Sequence, residues 1–157
     1  MRLRFLWAGR TRSAPIDALV EDYLGRIRHM VPCEVIETRD LARTRSLKAG
    51  ALVRAEAGEF ARHLAPTGTL VALDENGRQF SSAAFSRWLE SAMQRGGRSI
   101  TFVIGGAEGL SPEISRKADL VLSMGAMTWT HEMSRVLVAE QVYRALCIQR
   151  GIPYHKA

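Results

Sequence analysis

The chain is poor in the residues that mark secreted or metal-binding proteins. Its 157 residues include only two cysteines, Cys33 and Cys147, which form no C-x-x-C pair and have no histidine at metal-ligand spacing. Because disulfide frameworks and structural zinc sites need such clusters, the sequence argues against both, and we expect no metal. This cysteine usage fits a reducing compartment, the cytoplasm.

Long apolar runs are also missing. Residues 1–10 are interrupted by Arg2, Arg4 and Arg10, so this segment is too short and too charged for a signal peptide or a membrane span. We therefore expect no membrane contact. No internal repeat or linker is visible, and the length is that of one ordinary domain, so we expect a single domain over 1–157.

Acidic residues are outnumbered by basic ones. The chain has 22 Lys and Arg against 16 Asp and Glu, a formal net charge of +6. An excess of positive charge favours a polyanionic partner, because each phosphate that is neutralised releases counterions. Nucleic acid is the expected partner, and a merely solvated basic surface is the alternative. Arginines that suit phosphate or base contacts are Arg10, Arg12, Arg39, Arg43 and Arg45.

Apolar runs of strand length alternate with segments of helical period. This alternation is typical of an α/β domain that has a mainly parallel sheet with helices on both faces. The run 100–104 is apolar almost throughout, which predicts a central strand. The other strands are expected at 3–8, 33–37, 69–73 and 120–123, with a turn at 74–77. Helices are expected over about 16–27, 46–64, 85–92 and 132–150, with a short one entered through Ser111, Pro112 and Glu113.

Two loops of small residues follow the last two strands. Gly105-Gly106-x-x-Gly109 is neither G-x-G-x-x-G nor a P-loop, so dinucleotide and triphosphate sites are disfavoured. Glycines after a strand are equally compatible with a plain tight turn. A second such loop at 123–128 favours a shared ligand pocket, because the carboxyl ends of parallel strands are where open sheets bind ligands. Leu73, at the end of the third strand, would form a third wall.

The loops belong to a longer series of motifs. The series runs Leu73-Asp74 with Gly77, Phe102-Val103-Ile104-Gly105-Gly106-x-x-Gly109, Leu122-Ser123, Met127-Thr128-x-x-His131, Arg135, Glu140-Gln141-x-Tyr143-Arg144-Ala145 and Pro153-Tyr154-His155-Lys156. It resembles the RlmH family of SPOUT methyltransferases, and the resemblance covers essentially the whole chain. Two positions depart from the family pattern: Thr130 stands where many relatives have proline, and Gly125 where serine is common.

The resemblance implies a fold, a reaction and a partner. The fold is a SPOUT homodimer with a C-terminal trefoil knot and an RNA site that the second subunit completes. The reaction is transfer of a methyl group from S-adenosyl-L-methionine to N3 of a pseudouridine in 23S rRNA, within the large subunit or the 70S ribosome. The implied cofactor contacts are Leu73, Gly105, Gly106, Ser123, Met124, Gly125, Ala126, Met127 and Thr128.

The terminal residues are the candidates for catalysis. A pseudouridine N3–H is mostly protonated at neutral pH, so a base, or a cation that stabilises the developing anion, should help. His155 is the predicted base because imidazole titrates near neutrality, and Tyr154 and Lys156 flank it. The alternative is a frayed chain terminus. Arg144 is assigned to catalysis as well.

The last helix carries the remaining candidates. Arg135 and Arg144 are nine residues, or about two and a half turns, apart on this helix, and with Lys156 they are expected to contact RNA phosphates. The alternative is salt bridging to Glu132 or Glu140. This helix also predicts dimerisation, since one apolar side packs on the sheet and the other needs a partner. Its large apolar residues are Met133, Val136, Leu137, Val142 and Leu146.

The three tryptophans are expected in different surroundings. Trp7 and Trp88 are expected in the core, whereas Trp129 suits either the dimer interface or stacking on a base.

Two other functions are compatible with the sequence. One keeps the fold but methylates a ribose 2′-hydroxyl or another base. The other is a ribosome-binding protein without catalysis, which would bind RNA but no cofactor.

Overall fold

The computed structural model describes residues 1–95 and 97–154, which form a parallel α/β structure. The strands are β1 (Arg2–Ala8), β2 (Cys33–Thr38), β3 (Thr69–Arg78), β4 (Ser99–Ile104) and β5 (Leu120–Leu122). The helices are α1 (Ala14–Arg28), α2 (Leu41–Thr44), α3 (Ala49–Ala61), α4 (Ser82–Gln94), α5 (Pro112–Lys117) and α6 (His131–Gln149). All strand pairs are parallel, in the order β2-β1-β4-β3-β5. The predicted central strand is therefore confirmed.

Both faces of the sheet are covered, as predicted. On one face α1, α4 and α6 pack over Phe5 of β1 and Phe102 of β4, whose rings stack with centroids 5.4 Å apart. On the other face, Leu6 and Val103 contact residues of α3 and α5. Successive side chains along a strand point to opposite faces of the sheet. A strand that is buried on both faces therefore needs a continuous apolar sequence.

Helix α1 shows how the apolar spacing becomes packing. Val20, Leu24 and Ile27 recur at helical intervals and are buried against the sheet. Trp7 is buried in the same core and Trp88 is half-buried against it, in line with the prediction.

Two local predictions are wrong. The expected helix over 46–64 is shorter, Ala49–Ala61, and a separate turn of helix, α2, precedes it with its N-terminus capped by Asp40. The turn expected at 74–77 is an irregularity inside β3, where pairing with Leu122 shifts from Leu73 to Arg78. Short helices and bulges escape periodicity because too few residues report the period.

Helix α6 is packed along its length within one copy. It contacts α1, α4 and β4, and it buries Val136, Val142 and Leu146. The other two large apolar residues of this helix, Met133 and Leu137, are half-buried, and the predicted dimer stays a prediction. In the ranges 1–95 and 97–154, no helix is long and apolar enough to cross a membrane. The trefoil knot stays a prediction.

Candidate active site

A cavity of about 890 Å³ lies at the carboxyl ends of β3, β4 and β5. This is the edge at which parallel sheets bind ligands, and the volume suits a small molecule of cofactor size. The walls come from the irregular part of β3, from the loops that follow β4 and β5, and from the first turn of α6. They include Leu73, Asp74, Glu75, Ile104, Gly105, Gly106, Glu108, Leu122, Met124, Gly125, Met127, Thr128, Trp129, His131 and Glu132.

The glycine loop after β4 is shaped by its own packing. The Gly109 N–H donates to the Gly106 carbonyl at 3.0 Å, and Gly109 has φ +81°. A Cβ at Gly105 would overlap the Gly109 carbonyl group, and one at Gly106 would lie 2.8 Å from Oε1 of Glu56. Close contact with backbone across the loop therefore requires glycine at position 105, and the Glu56 side chain leaves little room for anything larger at position 106.

Glu56, on α3, lies under this loop and was missed in the sequence. Its residue surface is 3% exposed, and its Oε2 has no hydrogen-bond partner in the part of the chain that the structure describes. Burial raises the pKa of its carboxyl; the Gly106 amide opposes the rise, and the Asp40 and Glu108 charges add to it. The signal was present, because Glu56 stands three residues after Val53 and four before Phe60, inside an apolar helical face.

The loop after β5 is held by side-chain hydrogen bonds. The Ser123 hydroxyl donates to the Gly125 carbonyl at 2.9 Å and accepts from the Gly125 N–H at 3.3 Å. Gly125 has φ +133°, which favours glycine at this position. The Thr128 hydroxyl donates to Oε2 of Glu75 at 2.6 Å, which joins this loop to the irregular part of β3. Two predicted contacts, the buried Ser123 and the exposed Ala126, lie outside the cavity lining.

The first turn of α6 closes the cavity. Thr130 caps the helix, its hydroxyl accepting from the Met133 N–H at 3.2 Å, so this departure from the family pattern keeps a working N-terminus. His131 lines the cavity, and burial together with the Arg135 charge lowers the pKa of His131. Its imidazole is therefore neutral at neutral pH.

Arg135 is fully buried, with a residue exposure of 0%. Its guanidinium donates to the Ala8 carbonyl and to the Thr11 hydroxyl, each at 2.8 Å, and lies 5.0 Å from the Trp7 ring centroid. Burial lowers the pKa of Arg135. This side chain joins α6 to the end of β1 and is not available to a phosphate in this structure. The prediction that Arg135 contacts RNA phosphates is therefore wrong.

Tyr154 docks the end of the chain onto α6. Its hydroxyl donates to Oε1 of Glu140 at 3.0 Å and lies 3.3 Å from the Tyr23 hydroxyl. Its ring packs edge-on against Tyr143, and the Arg144 guanidinium lies 4.9 Å from its centroid. Burial and the bonds to Tyr23 and Glu140 raise the pKa of Tyr154, so it remains a neutral phenol. We call these five residues the tail cluster.

Arg144 also realises the alternative of a salt bridge. Its Nε donates to Oε1 of Glu140 at 3.0 Å, and this bond is the main cause that raises the pKa of Arg144. The predicted base His155 and the predicted RNA contact Lys156 lie outside the described residues. Their roles, and that of Arg144, stay predictions.

The cavity and the tail cluster occupy opposite ends of α6. A helix rises about 1.5 Å per residue, so Arg144 lies roughly 20 Å along the axis from His131. The structure thus brings together most predicted cofactor contacts at one end of the helix, and it places Tyr154 and Arg144, two of the predicted catalytic residues, toward the other. Within residues 1–95 and 97–154, no group of three or more His, Cys, Asp or Glu side chains is arranged to hold a metal ion.

Comparison with known proteins agrees with this architecture. Residues 1–155 match the family model described as "Predicted SPOUT methyltransferase". Two solved structures share the fold: a probable methyltransferase from Bordetella pertussis (TM-score 0.59, 15% identity, 92% of this chain and 94% of that one) and a probable methylase family protein from Haemophilus influenzae (TM-score 0.56, 12% identity, 99% and 70%). The fold is therefore that of a SPOUT methyltransferase, and the chain belongs to that family.

Curated relatives narrow the family further. Proteins named "Ribosomal RNA large subunit methyltransferase H" are 39% identical in Rhizobium meliloti, over all of both chains. Those from Cereibacter sphaeroides and Rhodospirillum centenum are 42% and 41% identical, over 99% and 100% of both chains. The chain belongs to this RlmH family, as its motifs predicted.

Proposed function

We propose that the protein transfers a methyl group from S-adenosyl-L-methionine to N3 of a pseudouridine in 23S rRNA of the assembled large subunit or 70S ribosome, in the cytoplasm. The observation that carries the proposal is a cavity built from backbone and small residues at the carboxyl edge of the sheet, in a methyltransferase family. The curated relatives named for the ribosomal RNA large subunit supply the substrate class.

The residues around the cavity fit this cofactor. Leu73 and Ile104 provide apolar walls for an adenine ring, while Asp74, Glu75 and Glu108 complement the positive sulfonium and ammonium groups. When bound, the cofactor supplies an electrophilic methyl group whose leaving thioether is neutral. The protein then has to orient the donor and the RNA nitrogen, and orientation alone is worth several kcal/mol of barrier.

Hydrogen bonds within the chain hold two walls of the cavity in place. The Ser123 bonds fix the loop after β5, and the Thr128–Glu75 bond joins it to β3 across the cavity. Because these hydrogen bonds form before the cofactor binds, they reduce the entropic cost of ordering the loops on binding. Calorimetry after chelation tests the cofactor: binding without metal is expected, and binding that needs an added divalent ion would contradict the assignment.

The proton on N3 requires a separate group. His155 is the proposed base, and Tyr154, next to it, is anchored through Glu140 and Tyr23. Because Tyr154 stays a neutral phenol, its part is to place the tail, and Arg144 beside it offers a cation to the developing anion or to an RNA phosphate.

Tyr154 and Arg144 are too far from the cavity of their own copy to act in it. The separation of roughly 20 Å along α6 supports a C2 homodimer in which the tail of one subunit meets the cavity of the other. Apolar side chains remain exposed at the cavity rim, with Met127 at 76% and Trp129 at 42% exposure, and they are suited to contact the partner copy.

The decisive experiment examines ribosomal RNA from a strain that lacks the gene. Mass spectrometry of nucleosides and of 23S rRNA fragments should reveal one missing methyl group on a pseudouridine base. Purified protein with S-adenosyl-L-methionine and 70S ribosomes should restore it. A methyl lost from a ribose or from another base would redirect the proposal within the same fold, and complete methylation in the deletion strain would refute it.

A further inference from the structure

We propose that the loops after β1 and β2 form the surface that grips the phosphodiester backbone of the RNA beside the cavity. We call this surface the basic ledge. It consists of Arg10, Arg12, Arg39, Arg43, Arg45 and Lys48. The assignment rests on the proposed function, because it takes the ligand to be the RNA substrate.

The basic ledge lies on the same edge of the sheet as the cavity. Its residues follow β1 and β2, and the carboxyl ends of parallel strands share one edge. The backbone N–H groups of Arg12 and Ser13 both donate to Glu132, which lines the cavity. The ledge therefore begins where the cavity ends, and RNA held on it continues into the reaction site.

Asp40 organises the ledge from beneath. It accepts from Nη2 of Arg12 at 2.7 Å and from the Arg43 N–H at 3.2 Å, so one carboxylate joins the two loops. Burial opposes its ionisation, but the bonds and charges of Arg12 and Arg43 lower the pKa of Asp40 overall. Gly9 has φ +69°, and a Cβ added there would lie 3.0 Å from the Asp40 carboxyl carbon, so glycine leaves room for this side chain. The cations are thus held in a defined arrangement before RNA arrives.

Carboxylates on the ledge are too few to neutralise it. Arg10 has a side chain 90% exposed, and its ion pair with Glu37 is long, at 3.9 Å. Arg12 pairs with Asp40 and Arg39 with Glu59. In the described ranges the remaining three cations, Arg43, Arg45 and Lys48, are exposed and form no ion pair.

The distribution of these cations favours a chain of phosphates over a single phosphate. The paired arginines of the ledge reach acids on three different elements, β2, the start of α2 and α3, so the charges are spread over two loops. A compact anion would require donors that converge on one point, whereas a polynucleotide presents a charge at every residue.

The test compares two double variants at opposite edges of the sheet. Arg43→Gln with Arg45→Gln removes two unpaired ledge cations, and Arg95→Gln with Arg98→Gln removes two exposed cations before β4, at the amino-terminal edge. Binding to 70S ribosomes is measured at several salt concentrations. If both ledge residues contact phosphates, the slope of log K against log salt should become shallower by about 1.4 to 1.8, since each contact contributes about 0.7 to 0.9.

Further readouts separate the ledge from the cofactor site. The ledge variant should raise KM for ribosomes while kcat at saturating ribosome and calorimetric cofactor binding stay at wild-type values. The matched variant should leave the slope and KM unchanged. An unchanged slope in the ledge variant, with a wild-type enzyme that methylates ribosomes, would overturn the ledge alone. A wild-type protein that transfers no methyl group to ribosomes would defeat the proposed function, and the ledge with it.

Discussion

The two ends of α6 are built in different ways. At the start of the helix, the cavity depends on backbone: Gly105 and Gly106 pack so closely that a single added carbon would clash. At its end, the tail cluster depends on side chains, with Tyr154 bonded to Glu140 and Tyr23. One copy of the chain therefore forms the whole cavity, the proposed cofactor site, by itself, whereas we infer that the RNA chemistry needs two copies.

The largest effect is expected when the two ends are disabled in different subunits. Removing Tyr154 to Ala157, or changing His155 to Ala, should leave cofactor binding intact but lower methyl transfer about a hundredfold or more, the size of a general acid–base contribution. A Gly106→Leu chain should lose cofactor binding, because its side chain would meet Glu56.

Mixing these two inactive chains tests which subunit supplies the tail. In a mixed dimer, the intact cavity of the tail-less copy faces the intact tail of the other. After statistical exchange, about a quarter of wild-type sites should be restored, since half the dimers are mixed and each has one complete site. Single-turnover assays on ribosomes measure the recovery. No recovery in verified mixed dimers would show that each tail serves its own cavity.

A smaller effect is expected at Glu56, which lies against Gly106 but outside the cavity lining. Glu56→Leu removes a buried, partly unpaired carboxyl and should raise the free energy of unfolding by about 1 kcal/mol. Since Glu56 supports the Gly106 loop, the same change should weaken cofactor binding about tenfold. Calorimetry and thermal denaturation measure the two quantities.

Conservative and neighbouring variants serve as controls for Glu56. Glu56→Gln keeps a polar group beside Gly106 and should bind the cofactor nearly as well as wild type. Glu59→Gln, one turn further along α3, breaks ion pairs with Arg39 and Arg62 and should lower stability without affecting the cofactor. If Glu56→Leu binds the cofactor normally, the carboxyl has no part in shaping the loop.

A several-fold loss of cofactor affinity is expected when the bond across the cavity is removed. Thr128→Val and Glu75→Gln each weaken one hydrogen bond to a charged acceptor, worth about 1 to 2 kcal/mol when formed. Because both changes disrupt the same bond, the double variant should lose little more than either single variant. Full additivity in calorimetric titrations would mean that the two side chains act independently.

The smallest effect is a pH dependence at the cavity end. His131 has its pKa lowered from the ordinary 6.5 by burial and by Arg135. As the pH falls through that value, the unfolded chain takes up a proton that native His131 resists, so the native state loses stability. Above it, both states are neutral and the group contributes nothing.

Thermal denaturation of His131→Gln examines this pH dependence. The variant should lose less stability than wild type between roughly pH 7.5 and pH 5, because one native-state penalty has been removed. In the tail cluster, the pKa values of Tyr154 and Arg144 are both raised above already high values, so neither group titrates between roughly pH 7.5 and pH 5. Tyr154→Phe should therefore leave the dependence of stability on pH unchanged in this range. Identical slopes for His131→Gln and wild type would contradict the assignment.

Local patterns were enough to predict the sheet and its ligand edge. The apolar runs of β1 and β4 and the spacing of Val20, Leu24 and Ile27 follow from the need to bury one or both faces of each element. The two small-residue loops come directly after β4 and β5 in the sequence, and both contribute residues to the cavity. These features depend on residues that are close together in the sequence, so the amino-acid sequence alone is enough to predict them.

Long-range contacts decided the rest. The sequence by itself determined the alternation of strands and helices, the family motifs and the place of the cavity. Only the tertiary structure showed that Arg135 is buried beside Trp7, that Glu56 is buried against Gly106, and that Arg144 lies roughly 20 Å along α6 from His131 at the cavity. The physical reason is that burial and pairing depend on residues distant in sequence, such as Ala8 and Thr11 for Arg135, which periodicity does not report.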